Sequence, residues 1–207
     1  TVPGKGEVGY DTWAPGTAER ATNVSLWSGM TVDAQRGIVY VPLNDANWNR
    51  YGGDRHGDNL FSASVVALDA RTGNRLWHFQ TVHHDIWDLD GAPPPTLFDV
   101  RRGGRTIPAV AVSSKAGLVF LLDRVTGKPI YGVVERPVAQ SVVPLENTSP
   151  TQPFPLKPAP FVRTTMSMDD IADVTPELEA FCRDLVLKNN VGLGGPYNPP
   201  GYNRPTV

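Results

Sequence analysis

Residues 81–90 read T-V-H-H-D-I-W-D-L-D and put two histidines, three aspartates and a tryptophan into ten positions. Side chains of these types can do three kinds of chemistry. Imidazoles and carboxylates hold metal ions. A carboxylate in reach of a hydroxyl takes its proton. Aspartates also cap polar turns. Zinc fits the pattern poorly. His83 and His84 are adjacent, so on a strand they point to opposite faces, and the run contains no cysteine and no third histidine.

Something must position these groups, and the flanking sequence reads as β-structure. Strand-like runs occur at 37–42 (G-I-V-Y-V-P), 63–69 (A-S-V-V-A-L-D), 75–80 (R-L-W-H-F-Q), 107–112 (I-P-A-V-A-V) and 118–123 (L-V-F-L-L-D). They are short, β-branched or aromatic, and bounded by Gly, Pro, Asn and Asp. Their continuous apolar character predicts strands buried on both faces. Residues 1–23 are polar and turn-rich, and 137–160 read as a Pro-rich, extended, ordered excursion.

One helix is expected near 175–188. Thr175 can cap it, Pro176 suits its first position, and Glu177 and Glu179 complement its N-terminal dipole. Leu178, Phe181, Cys182 and Leu185 then form an apolar stripe, which makes Cys182 a buried structural thiol. It is the only cysteine, so the chain holds no internal disulfide and no thiolate metal site. The Pro/Gly-rich tail after the helix carries two tyrosines, which suggests that it packs on something.

An internal repeat organises the strands. V-V-A-L-D-A-R-T-G-N-R-L-W (65–77) returns 54 residues later as V-F-L-L-D-R-V-T-G-K-P-I-Y (119–131). Each copy is a strand, an Asp-x-x-Thr-Gly turn and a second strand, with an aromatic four residues after the glycine. The Asp can bond turn amides and the Gly can take positive φ. Hairpins at this spacing fit the blades of a β-propeller; two similar hairpins in a sandwich fit the pattern as well.

The bulk composition is compatible with either. The chain has 207 residues, 40% of them apolar, with 20 glycines and 20 prolines. That suits a turn-rich all-β fold with a real core. A net charge of −2 gives no nucleic-acid or polybasic membrane footprint. No run of apolar residues is long enough to span a bilayer.

Two motifs carry a specific resemblance. F-Q-T-V-H-H-D-I-W-D-L-D (79–90) and S-S-K-A-G-L-V-F-L-L-D-R-V-T-G-K-P-I (113–130) resemble the PQQ-dependent quinoprotein dehydrogenases of the membrane glucose and quinate dehydrogenase type. E-R-P-V-A-Q (135–140) and S-P-T-Q-P-F (149–154) match further, and 67–77 is similar to their tryptophan-docking motif. The similarity runs from about 24 to 160.

The resemblance implies an eight-bladed propeller of several hundred residues. This chain would supply about three blades as a single partial domain over 1–207, with helix and excursion at 161–207, and the remaining blades would be its partners. It also implies roles for individual residues. Asp88, directly after Trp87, matches the catalytic base. Lys115, 27 positions later, matches the residue contacting the quinone oxygens, and Trp27 matches the aromatic floor under the cofactor.

The family places Gly-Asn where this chain has Asn44-Asp45, so the calcium oxygen would come from Asp45, or from Asn44 if the turn is shifted. Asp90 adds a carboxylate at the position that marks lanthanide-using relatives, although sugar-type relatives carry one as well. His83, His84, Asp85 and Asp90 fall to the substrate pocket, one histidine lining it or holding Asp85 while the other packs. The implied cofactors are PQQ and calcium or another hard cation. The implied activity is oxidation of a sugar or cyclic polyol in the periplasm, with electrons passing to a membrane quinone or cytochrome and any membrane attachment lying outside this chain. A non-catalytic propeller scaffold is the competing reading. It does not require Asp88, Lys115 and Trp27 at family spacing.

Overall fold

The computed structural model describes residues 2–26 and 28–206, so Trp27 lies outside the described residues. Among the described residues nine strands form three antiparallel sheets. The first is four-stranded, in the order β1 (Thr31–Asp33), β2 (Ile38–Pro42), β3 (Ser64–Asp69), β4 (Arg75–Gln80). The second contains β5 (Thr96–Arg102), β6 (Arg105–Ser113) and β7 (Val119–Asp123). An isolated bridge between Leu122 and Pro129 extends it by part of a fourth strand. The third is the hairpin of β8 (Val133–Pro137) and β9 (Thr151–Pro155). Sequential antiparallel sheets of this kind are blades of a partial propeller.

The repeated turns are built alike. Asp69 Oδ1 accepts from the amides of Arg71 and Thr72, both at 2.9 Å. Asp123 Oδ1 accepts from Val125 and Thr126 at 2.9 and 3.0 Å. Gly73 and Gly127 follow with φ of +73° and +71°. Trp77 then crosses between blades. A Cβ on Gly127 would stand 2.7 Å from the indole, and Trp77 Nε1 donates to Arg124 O at 3.2 Å. Tyr40 OH donates to the same carbonyl at 2.8 Å, and the Arg124 guanidinium pairs with Asp33 at 2.9 Å. The main core fills the space between the first two blades with Tyr40, Val65, Trp77, Val110, Val112, Phe120 and Leu122.

Burial on both faces holds for Ser64–Ala67 of β3. In β2 and β7 buried and half-buried positions alternate instead, because their second faces lie against grooves rather than against another sheet. The Pro-rich excursion is the long loop of the β8–β9 hairpin, with β9 itself carrying Pro153 and Pro155.

Helix α1 (Pro176–Lys188) is capped as its sequence predicts, Thr175 Oγ1 accepting from Leu178 N at 3.2 Å. Its apolar stripe is not buried: Leu178, Phe181 and Leu185 are exposed, and Cys182 is half-buried rather than a core thiol. Capping and propensity act locally, whereas burial needs a facing apolar surface, and these sheets offer α1 none. The tail does pack: Tyr197 is buried against Trp87 and Phe154 at ring distances of 5.5 and 5.4 Å. No helix among the described residues is long and apolar enough to cross a membrane.

Candidate functional site

The blades sort their loops by chemistry. Antiparallel order puts the β2–β3 loop, the β4–β5 loop and the β6–β7 turn at one end, away from the Asp-x-x-Thr-Gly turns. Those three connections carry Asp45, then His83 to Asp90, then Lys115.

The 81–90 loop is fixed by a buried polar framework. Gln152 on β9, fully buried, bonds the backbone of His83 in both directions, at 2.8 and 2.7 Å. His84, at φ +46°, bonds Gly57 O through Nδ1 at 2.8 Å and Glu146 Oε1 through Nε2 at 2.7 Å. Gly52 must be glycine, since a Cβ there would stand 2.3 Å from His84 Nε2. Asp85 is fully buried and accepts from the amides of Trp87 and Leu89 at 2.8 and 2.9 Å. These two bonds wrap the chain around Asp88, which takes φ +63°. Arg55, 2% exposed, donates to the carbonyls of Asp85 and Trp48 and to Asn59 Oδ1, at 2.5, 3.0 and 2.7 Å.

On this frame three carboxylates converge. One oxygen each from Asp45, Asp88 and Asp90 lies within 4.8 Å of the others. Lys115 Nζ sits 2.5 Å from Asp90 and 3.4 Å from Asp88. Asn49 donates to Asp88 Oδ1 at 3.2 Å, and Arg50 stands 3.6 Å from Asp88 Oδ2. Asp45 N donates to Asp90 Oδ1 at 2.9 Å, while Asp45 Oδ2 is buried without a partner.

The electrostatics follow from burial and from these pairings. Burial, the Asp85 charge and the Asp90 carboxylate push Asp45 up to about 8. Burial also lifts Asp85 to about 6, against its two amide bonds and Arg55. At Asp90 burial works upward, but the Lys115 and Asp45 hydrogen bonds outweigh it and hold the carboxyl below its ordinary range. At Lys115 the same pairing outweighs burial and raises the ammonium. At Glu146 the bonds from His84 and Gly52 outweigh burial, and its carboxyl lies below the ordinary range.

The donor set fits a hard cation. It consists of carboxylate oxygens, which suit calcium-like ions, and Asp45 Oδ2 is buried without a hydrogen-bond partner, so a bound cation would take the place of the proton that burial makes Asp45 hold. Asn44, next to Asp45, accepts from Ser25 N at 2.8 Å through its Oδ1. His83 bonds Gln80 and Glu135. His84 does not hold Asp85; Arg55 takes that place. Trp87 packs on Tyr197 and donates to Asn198 O.

Arg55, Asn49, Arg50, Glu146 and Gln152 contact the candidate site residues, and single-sequence reading did not find them. Only Y-G-G-D-R (51–55), with paired glycines and an arginine, carried a signal.

This fold and site recur in known proteins. The family model for the PQQ-type glucose/ethanol/alcohol dehydrogenase β-propeller domain matches residues 3–207, and the chain belongs to that family. Among individual relatives, the quinate/shikimate dehydrogenase (quinone) of Acinetobacter baylyi is 34% identical over 189 residues, covering 90% of this chain and 23% of the relative. The quinoprotein glucose dehydrogenase of Gluconobacter oxydans is 37% identical over 179 residues, covering 84% of this chain and 21% of the relative. The crystal structure of quinohemoprotein alcohol dehydrogenase from Comamonas testosteroni superposes with a TM-score of 0.57 at 30% identity, over 72% of this chain and 22% of that one. The chain thus spans less than a quarter of the length of these relatives.

Proposed function

We propose that this chain is the base-bearing part of a PQQ-dependent dehydrogenase that oxidises an alcohol of a sugar or cyclic polyol. The whole protein would work on the periplasmic side and pass electrons to a membrane quinone or cytochrome. The observation that carries this reading is the setting of Asp88, a half-exposed carboxylate between Lys115 and Arg50 at the mouth of a buried carboxylate cluster.

When bound, PQQ supplies the hydride acceptor and a calcium-like cation supplies Lewis-acid polarisation. The protein's own residues do the rest. Asp88 accepts the substrate hydroxyl proton on a carboxylate oxygen. Asn49 and Arg50 orient that carboxylate. Asp45 and Asp90 would hold the cation. Lys115, anchored by Asp90, presents positive charge where negative charge develops. Asp85 and Arg55 fix the turn and leave proton transfer to Asp88.

Asp88→Asn in the full-length protein, reconstituted with PQQ and calcium, tests the assignment in dye-linked assays with glucose, quinate and simple alcohols. Loss of a general base predicts about a 10²- to 10⁴-fold fall in kcat. Wild-type turnover in the variant would sink the base assignment.

A further inference from the structure

The long β8–β9 loop reaches back and lies along the loop that carries Asn49 and Arg50. Tyr51 OH donates to Pro144 O at 3.4 Å, His56 Nε2 bonds Leu145 O at 2.7 Å, and Ser149 Oγ donates to Asp58 Oδ1 at 3.3 Å. Leu145 takes φ +67° and is 77% exposed. Left-handed backbone is costly for a residue with a side chain, and such strain gathers where the surrounding structure uses it. The residue that follows, Glu146, is the one turned inward, with its side chain 2% exposed.

Each oxygen of that carboxylate grips a different loop. Oε1 bonds His84 Nε2 at 2.7 Å, in the loop carrying Asp88. Oε2 accepts from Gly52 N at 2.5 Å, in the loop carrying Asn49 and Arg50. His84 Nδ1 faces a second acceptor, Gly57 O, at 2.8 Å. The bonds from His84 and Gly52 favour the ionised Glu146, so both imidazole nitrogens donate. The segment 48–52 is thereby pinned at both ends: the Arg55 guanidinium holds Trp48 O at 3.0 Å, and Glu146 holds Gly52 N. Asn49 and Arg50 lie between the pins and reach Asp88 at 3.2 and 3.6 Å.

We propose that Glu146 is a positioning residue for the reaction. It clasps the segment of Asn49 and Arg50 to the loop of Asp88, and through them sets the angle at which the Asp88 carboxylate meets the substrate hydroxyl. Buried as it is, it acts through these neighbours rather than on the substrate. This rests on the reading of Asp88 as the base.

The test separates reach from charge. Glu146→Gln loses the charge and keeps both bonds, its carbonyl oxygen accepting from Gly52 N and its amide donating to a neutral His84. Glu146→Asp keeps the charge but is one methylene short, so it serves one loop and releases the other. In the full-length protein loaded with PQQ and calcium, Glu146→Asp should lower kcat about 10- to 100-fold with KM within about twofold, and Glu146→Gln should stay within about threefold of wild type. Asn49→Ala should absorb most of the Glu146→Asp effect when the two are combined, because both act on the Asp88 carboxylate. The second arm follows amide hydrogen exchange without cofactor. In Glu146→Asp the amides of 49–52 or of 87–89 should exchange about 10-fold faster, while the Thr72 amide in the distant turn keeps its rate.

A kcat for Glu146→Gln at or below that of Glu146→Asp overturns the clasp. So does a strictly additive cycle with Asn49→Ala, and so does a Thr72 amide that accelerates together with those of 49–52, which would mean general loosening. Asp88→Asn in the same series reports on the base separately. Wild-type turnover there removes the base reading, and the exchange arm still decides whether Glu146 holds the two loops together.

Discussion

Asp85 and Asp88 lie three residues apart in one loop and live in opposite surroundings. Asp85 is sealed in, with both carboxylate oxygens bonded to backbone amides and Arg55 held on its carbonyl. Asp88 is about 30% exposed, with only Asn49, Arg50 and Lys115 around it at longer distances. The same extends to their neighbours: Arg55, Asn59, His84 and Glu146 form a dry, bonded layer, whereas Arg50 and Lys115 form a wet rim. The difference teaches which charges hold shape and which are available to react. A fully satisfied buried group is costly to disturb, and a half-exposed one is cheap to replace and open to ligand.

Four substitutions or conditions sharpen that contrast, or break it. Arg55→Met should cost about 3–5 kcal/mol in urea unfolding, because it strips the buried layer of its one guanidinium and leaves Asp85 uncompensated. A loss under about 1 kcal/mol would mean that the layer is not the anchor described above.

The next effect is a pH dependence. Asp85 has a folded value of about 6 against the ordinary 3.8, so the folded state binds its proton more tightly than the unfolded chain does. The stability this proton contributes is complete below the unfolded value and is lost as pH rises through the folded one. Between about pH 4 and pH 7 the wild type should lose on the order of 2–3 kcal/mol relative to Asp85→Asn. Parallel pH–stability curves would remove burial as the dominant influence on this carboxyl.

Glu146→Leu should follow at about 1–3 kcal/mol, since it leaves His84 Nε2 buried without its acceptor. Glu146→Gln, which keeps an oxygen, should lose less in the same denaturation series. The smallest effect on stability belongs to the rim. Asp88→Asn should stay within about 0.5 kcal/mol of wild type even as turnover collapses.

Local chemistry was legible in the sequence and long-range chemistry was not. The Asp-x-x-Thr-Gly turns, the strands at 38–42, 64–69, 75–80, 105–113 and 119–123, and the capped helix all announce themselves through neighbouring residues. β5 reads T-L-F-D-V-R-R and β9 reads T-Q-P-F-P, and neither looks like a strand because edge strands tolerate charge and proline. At the site, Asp88 and Lys115 stood out by motif and spacing. Glu146 meets His84 across 62 residues and Arg55 meets Asp85 across 30. Such contacts leave no periodic trace, because the intervening blade geometry creates them. The exposed stripe of α1 is the converse case: amphipathic spacing specified a helix without supplying a surface to cover it.

The two repeated turns differ in one respect. Gly127 is pressed by Trp77, while a Cβ on Gly73 would meet nothing within 4 Å, and Gly73 borders an apolar groove of about 850 Å³ lined by Leu43, Phe61, Val66 and Leu68. The four-stranded blade therefore presents an empty socket, and the following one carries Tyr131 at the position of the plug. Socket and plug lie on different surfaces, so copies that satisfy each other do so head to tail. Such contacts are heterologous, and unless the rotation closes into a ring they propagate. Taken alone at high concentration, this polypeptide should sediment as a ladder of growing oligomers rather than as a symmetric pair, and a peptide bearing a docking tryptophan should shorten the ladder.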